Sequence, residues 1–190
     1  MKILSRERQL QYDKVYMKIA KDLSELSYAK RNKVGCIIVS NKGQIISQGF
    51  NGTPTGYDNC CEDVVCSSIW QYGCIYSGNS IEESKNIDFC SHAVKGLPPN
   101  DKEGQPCSYL KLVTKKEVLH AESNAISKCA KWISSTDGAT LYVTLSPCFE
   151  CSKTIIQSGI TRVCYAEEYR DTTGIDFLKQ NGIQVDKITI

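Results

Sequence analysis

Between residues 7 and 26 apolar side chains recur at intervals of three and four, through Tyr12, Val15, Tyr16, Ile19, Leu23 and Leu26, with charged residues between them. That spacing is the stripe of an amphipathic helix, whose apolar face should pack on a sheet. At residue 34 the pattern changes: residues 34–39 carry no charged or hydroxyl side chain, which predicts a central strand buried on both faces. Asn41-Lys42-Gly43 then forms a short polar turn and residues 44–50 a second strand, together a hairpin. The second half of the chain alternates the two periods. A helix is predicted near residues 119–132, a strand at 140–145, a helix at 148–158 closed by Gly159 and a strand at 162–166. A helix at 176–181 closed by Gly182 and a strand at 183–190 complete the series. Helices that link successive strands argue for a mixed α/β sandwich, against an all-β fold or a helical bundle.

Residues 57–116 interrupt this order with Gly, Ser, Asn and the break at Leu97-Pro98-Pro99-Asn100. Val65, Ile69 and Tyr72 lie at helical spacing and predict a short helix over 62–72, while the rest reads as a Cys-rich insert that is lid-like, metal-pinned or poorly ordered. A length of 190 residues fits one domain, 1–190, that carries this insert. With 41% hydrophobic residues the chain is not disordered overall, and a net charge of +2 provides no field to hold a nucleic acid polymer by phosphate neutralisation. A small ligand suits that balance better. No apolar run approaches the ~18 residues of a membrane span, and charge comes too early in residues 1–9 for a signal peptide, so the expected location is cytoplasmic. The 11 cysteines are odd in number and fewer than a disulfide scaffold would carry, which favours thiols, some of them on metal.

His120-Ala121-Glu122 opens one predicted helix and Pro147-Cys148-Phe149-Glu150-Cys151 opens the next. Cysteines three apart share a helix face, and the unpaired N–H groups of a helix N-terminus favour thiolate, the form that binds metal. One His and two Cys make a three-ligand zinc set. Structural zinc closes with four protein ligands, whereas three leave a position for water, which the ion acidifies toward ~7. Glu122 then supplies a group able to take and deliver protons. Lying two residues from His120, it can converge with the ligands only because the helix is just beginning there. A redox Cys-x-x-Cys or half of a structural zinc site is the plain alternative. The first has no role for His120 and Glu122, and the second needs a fourth ligand from the insert.

His-x-Glu followed by Pro-Cys-x-x-Cys is the pattern of zinc nucleobase deaminases, and at these residues the chain resembles the deoxycytidylate (dCMP) deaminases, phage type, of the cytidine deaminase superfamily. The resemblance extends to Val34-Gly35, Gly49-Phe50-Asn51-Gly52-Thr53-Pro54, the block from His120 to Ile126 and the block from Gly138 to Cys148. It covers residues 10–56 and 117–190, and the Asn-Gly-x-Pro element separates this family from transfer-RNA adenosine deaminases and riboflavin-pathway deaminases.

The resemblance implies a three-layer α/β/α cytidine deaminase-like fold with a central mixed five-stranded sheet. It implies a hydrolase that converts dCMP to dUMP and ammonia for thymidylate synthesis. His120, Cys148 and Cys151 would hold catalytic Zn2+, and Glu122 would protonate N3 and then the departing amine. Asn51 would contact the deoxyribose or base, or serve only as a turn residue, and the backbone near Ala121 would bind the pyrimidine carbonyl. Arg31, Lys33 and Arg170 are candidate phosphate partners, with Arg170 preferred. The family pattern further implies a homohexamer activated by dCTP, with Mg2+ accompanying the nucleotide, and inhibited by dTTP. The location would be the host cytoplasm if the chain is phage-encoded. A second structural zinc of related proteins lacks its expected ligands, since Ala29 and Leu110 stand there. Cys60, Cys61, Cys90, His92 and Cys107 offer a different set, or are ordinary thiols and a surface histidine. The competing functions are deamination of another cytosine nucleotide such as dCTP, and a non-catalytic zinc-stabilised binding module in which Glu122 has no role.

Overall fold

Ser5 caps the first helix, its Oγ accepting the N–H of Arg8, and α1 runs over Arg6–Ser24. It begins the part of the chain that the computed structural model describes, residues 5–66, 77–78 and 110–190. After α1 come β1 (Gly35–Val39) and β2 (Ile45–Phe50), then β3 (Glu62–Cys66), β4 (Ser77–Gly78) and β5 (Leu110–Thr114). The second half forms α2 (Ala121–Lys131), β6 (Thr140–Leu145), α3 (Phe149–Gln157), β7 (Arg162–Glu167), α4 (Thr173–Gln180) and β8 (Gln184–Lys187).

The main sheet has the order β2-β1-β6-β7-β8. β1 is antiparallel to both neighbours, while β6, β7 and β8 are parallel, as expected of strands joined by helices. Alternation along the strands divides the core in two. Ile37, Val39, Tyr142 and Cys164 face Met17 and Ala20 of α1. Cys36, Ile38, Leu141, Val143 and Val163 face the other way, onto Ala121 and Ala125 of α2, Ile155 of α3, and Ile175 and Leu178 of α4. The result is helix, mixed five-stranded sheet, helices: the expected three layers. Among the described residues no helix is long and apolar enough to cross a membrane.

Residues 62–66 depart from expectation, forming β3 at the centre of a second, antiparallel sheet of order β4-β3-β5 where a helix was predicted. The apolar spacing Val65–Ile69–Tyr72 is compatible with a helix, but the β-branched pair Val64-Val65 and a partner strand far along the chain, from Thr114 back to Leu110, favour the ladder. Such a partner is invisible to local periodicity. Residues 67–72 lie outside the described residues. α4 begins at Thr173, ahead of the predicted 176, because Asp171 Oδ1 accepts the Thr173 N–H at 3.0 Å and starts the turn early.

On the α1 side a buried ion pair ties the first helix to the sheet. Arg162 donates Nη1 and Nη2 to the two oxygens of Asp13, both at 2.9 Å, and Nε to Asp186 at 2.7 Å, while Tyr142 Oη donates to Asp13 at 2.6 Å. Burial pushes the Asp13 carboxyl up, but bonds from Arg162, Tyr142 and Gln9 outweigh it and hold the group below its ordinary 3.8. Arg162→Met leaves that carboxylate buried without its cation and is expected to cost about 3 kcal/mol of stability, read from urea midpoints at neutral pH. Because the folded pKa lies below the unfolded one, the contribution is present above the unfolded value and fades as pH falls through the folded value. The penalty of the substitution should therefore shrink as pH falls from neutrality through and below the ordinary 3.8.

Candidate metal centre and nucleotide pocket

Two helix starts build the site. Gly52 and Leu119 form an isolated antiparallel bridge, each N–H bonded to the other's carbonyl, and this delivers His120 to the N-cap of α2. Cys148 is the N-cap of α3, two helical positions before Glu150. Neither side chain caps its helix. Ser, Thr, Asp or Asn would ordinarily spend their oxygen on the first free N–H groups. Here the N-cap side chains are left for another partner, and the positive helix ends are left facing the site.

Close packing holds these starts in place. A Cβ on Gly49 of β2 would lie 2.5 Å from Ala121 O and 2.7 Å from Ala125 N, so β2 and the first turn of α2 touch backbone to backbone. A Cβ on Gly174 would lie 2.2 Å from Pro147 O, and Ser152 Oγ lies 3.0 Å from both Cys148 O and Gly174 O. The turn carrying Cys148 is thus clamped between α3 and α4.

Among the described residues, His120, Cys148 and Cys151 are the one group of three or more metal-type ligands, all ligand atoms lying within 4.8 Å of one another. His120 Nδ1 is 3.5 Å from Cys148 Sγ and 3.3 Å from Cys151 Sγ. With bonds of about 2.3 Å to sulfur and 2.0 Å to nitrogen, two corners of a tetrahedral zinc site are about 3.5 Å apart. The donor set and its spacing therefore fit zinc, and among the described residues no fourth ligand joins them. The cysteines are electronically unequal. The hydrogen bond with Cys151, against burial and with help from His120, lowers Cys148 to about 4, and that same bond together with burial pushes Cys151 up. His120 is raised by its bond to Cys148.

Glu122 stands at the second residue of α2 and is 4% exposed. Burial pushes its carboxyl above the ordinary 4.5, against opposing effects of its own backbone N–H and His120. It lines a cavity of about 140 Å³ together with His120, Ala121, Asn51 and Cys148. Asn51 bonds the segment that forms the cavity wall, its Oδ1 accepting the Val34 N–H and its Nδ2 donating to Asn32 O, both at 2.8 Å. Ala121 is fully buried at the first helical position, where an N–H has no partner inside the helix.

The three cation candidates separate. Arg31 lines the cavity and donates to Thr114 Oγ1 at 3.4 Å. Lys33 is engaged with the carbonyl and carboxylate of Glu25. Arg170 stacks on the Tyr169 ring, 5.7 Å to its centroid, and it is Tyr169 that lines the cavity. Glu62 and Ser146 also line it and escaped the sequence reading. Ser146, whose Oγ accepts the Tyr169 N–H at 2.8 Å, was signalled by its place before Pro147-Cys148. Glu62 carried no signal, since it sits in the segment read as helix. Of the alternative zinc set, Cys90, His92 and Cys107 lie outside the described residues, Cys61 packs with Ala29 and Val118, and Cys60 Sγ meets Glu62 O at 3.3 Å.

A family model for the cytidine and deoxycytidylate deaminase zinc-binding region matches residues 10–167. The chain belongs to this deaminase family. Deoxycytidylate deaminase of Enterobacteria phage T4 is 38% identical over 175 residues, covering 89% of this chain and 86% of that protein. Its counterpart in phage T2 is 36% identical over 171 residues, covering 89% and 88%. The crystal structure of dCMP deaminase from cyanophage S-TIM5 in complex with dCMP and dUMP superposes with a TM-score of 0.65 at 36% identity, covering 97% of this chain and 99% of that one. The match places this chain with the phage-type dCMP deaminases of the family, and the shared fold is the cytidine deaminase-like sandwich expected from the resemblance.

Proposed function

We propose that this protein hydrolyses dCMP to dUMP and ammonia in the cytoplasm, as a single domain with residues 57–116 as its insert. The observation that carries the reading is the juxtaposition of a three-ligand His/Cys/Cys group with a buried carboxyl, Glu122, in one cavity. Likeness over nearly the whole chain to a structure that holds dCMP and dUMP supports it. His120, Cys148 and Cys151 hold Zn2+, whose Lewis acidity makes water a competent nucleophile at neutral pH.

The remaining work falls to the chain. Glu122 accepts the proton of the attacking water and passes it to N3 of the cytosine. It then carries the second proton to the amine, so that ammonia leaves and a carbonyl forms at C4. Its burial raises the carboxyl toward the range in which one group both takes and gives protons near neutrality. The free N–H at Ala121 binds the pyrimidine carbonyl, and Asn51, with capacity left on its amide, contacts the sugar or base. Arg170 and Arg31 are the phosphate candidates, Arg31 having the advantage of lining the cavity.

Purified zinc-loaded protein is expected to use dCMP with a kcat/KM at least about 100-fold above that for deoxycytidine, because a charge-assisted phosphate contact is lost in the nucleoside. Equal use of the two, or a preference for dCTP, would replace dCMP by another substrate. As part of the same proposal the active form is a homohexamer, activated by dCTP with Mg2+ and inhibited by dTTP. Hyperbolic dCMP kinetics unaltered by either nucleotide would remove that regulation.

A further inference from the structure

Glu62 opens β3 and is 3% exposed, yet it lines the same cavity as His120, Glu122 and Asn51. Its Oε1 accepts two backbone N–H groups, from Lys30 at 3.0 Å and Arg31 at 3.2 Å. These bonds fasten the segment between α1 and β1 that Asn51 grips at Asn32 and Val34. Among the described residues no donor reaches Oε2. An ionised carboxylate is acceptor-only with about four lone-pair sites, and a buried one with an idle oxygen is costly unless something donates to it. The carboxylate is thus anchored at one oxygen and open at the other, inside the cavity that holds the candidate chemistry.

We propose that Glu62 is a substrate-binding and specificity-determining residue whose Oε2 accepts the 3′-hydroxyl of the nucleotide's sugar. The inference rests on the dCMP reading above and follows from what such a ligand can donate. A deoxycytidine nucleotide offers two kinds of strong donor, the ring amine and the sugar hydroxyl. The amine must lie against Glu122 and the metal ligands, where the C–N bond breaks. The phosphate carries acceptors and negative charge, so an anionic Glu62 repels it. The hydroxyl is the group that matches.

Full-length zinc-loaded wild type, Glu62→Ala and Glu62→Gln are compared in two ways. The first readout is kcat/KM for dCMP against its 2′,3′-dideoxy analogue. The second, which needs no turnover, is the calorimetric Kd for dUMP against 2′,3′-dideoxyuridine monophosphate. Wild type is expected to prefer the hydroxylated ligand by at least about 50-fold, since a site built to bond a hydroxyl rejects the analogue that lacks it. In Glu62→Ala the preference should fall to within about threefold; the ratio is the readout, because loss of the two Oε1 bonds also loosens the 30–31 segment and lowers the use of both ligands. Glu62→Gln retains an oxygen for the two backbone bonds but puts an NH2 donor where Oε2 was, which cannot accept the hydroxyl's proton, so the preference should fall by at least about tenfold. If the alanine variant does not fold, the glutamine variant decides alone.

A preference unchanged in every folded variant would make Glu62 a fastener of the 30–31 segment only, and would overturn the proposal. So would a wild type that uses dCMP without regard to the 3′-hydroxyl, leaving the dCMP reading intact. A folded, zinc-occupied wild type that neither uses dCMP nor binds dUMP would overturn both.

Discussion

Glu122→Gln is expected to lower dUMP formation from dCMP by at least about 10³-fold while zinc content and nucleotide binding persist. General acid–base catalysis supplies roughly 10² to 10⁴, and one carboxyl serves both proton transfers here, so its loss falls at the upper part of that range. The substitution is close to isosteric and sits at the start of α2, where the 4% exposed side chain is fixed by the helix it belongs to. Gln cannot accept a proton at neutral pH, so the defect should appear in kcat with KM little changed. Zinc analysis and dUMP binding on the same preparation separate this result from misfolding. If Glu122→Gln turned over dCMP at the wild-type rate, the carboxyl would be a buried structural group, as the zinc-stabilised binding module requires.

Cys151→Ala carries the next largest effect: zinc below about 0.1 per chain after gel filtration and no measurable deamination, with the fold retained. Cys151 is 3% exposed and lies 3.3 Å from His120 Nδ1, and among the described residues it forms with His120 and Cys148 the one group of metal-type ligands. Two remaining ligands hold zinc far more weakly than three. The fold should survive because both cores are complete without the metal. Tyr142, Ile37 and Met17 pack on the α1 side, and Leu141, Val143, Ile155 and Leu178 on the other. Far-UV circular dichroism and a cooperative thermal transition should therefore resemble wild type. Unfolding on metal loss is the signature of a structural zinc site and would contradict an open, catalytic one.

Local periodicity made most of the scaffold legible. β1 reads as uninterrupted apolar sequence because both of its faces are covered, by α1 on one side and α2 on the other. The helix starts at His120 and Cys148 were readable from their chemistry, since a ligand-type residue stands at each where a capping residue is usual. What stayed hidden depended on distant partners. β3 exists because Glu62 to Cys66 find Thr114 to Leu110, and Glu62 enters the cavity wall through bonds to residues 31 and 32 positions earlier. Arg170 and Arg31 were indistinguishable as charges in a string. Only folding turned the first onto the Tyr169 ring and the second toward the cavity.

Both largest predictions presuppose one reaction, and it can be tested on the unaltered protein. Purified full-length protein loaded with zinc, incubated with dCMP in the presence of dCTP and Mg2+, should release dUMP and ammonia in equal amounts, and chelation followed by zinc return should abolish and restore the activity. Folded, zinc-occupied protein that leaves dCMP and every other cytosine nucleotide unchanged would contradict the account.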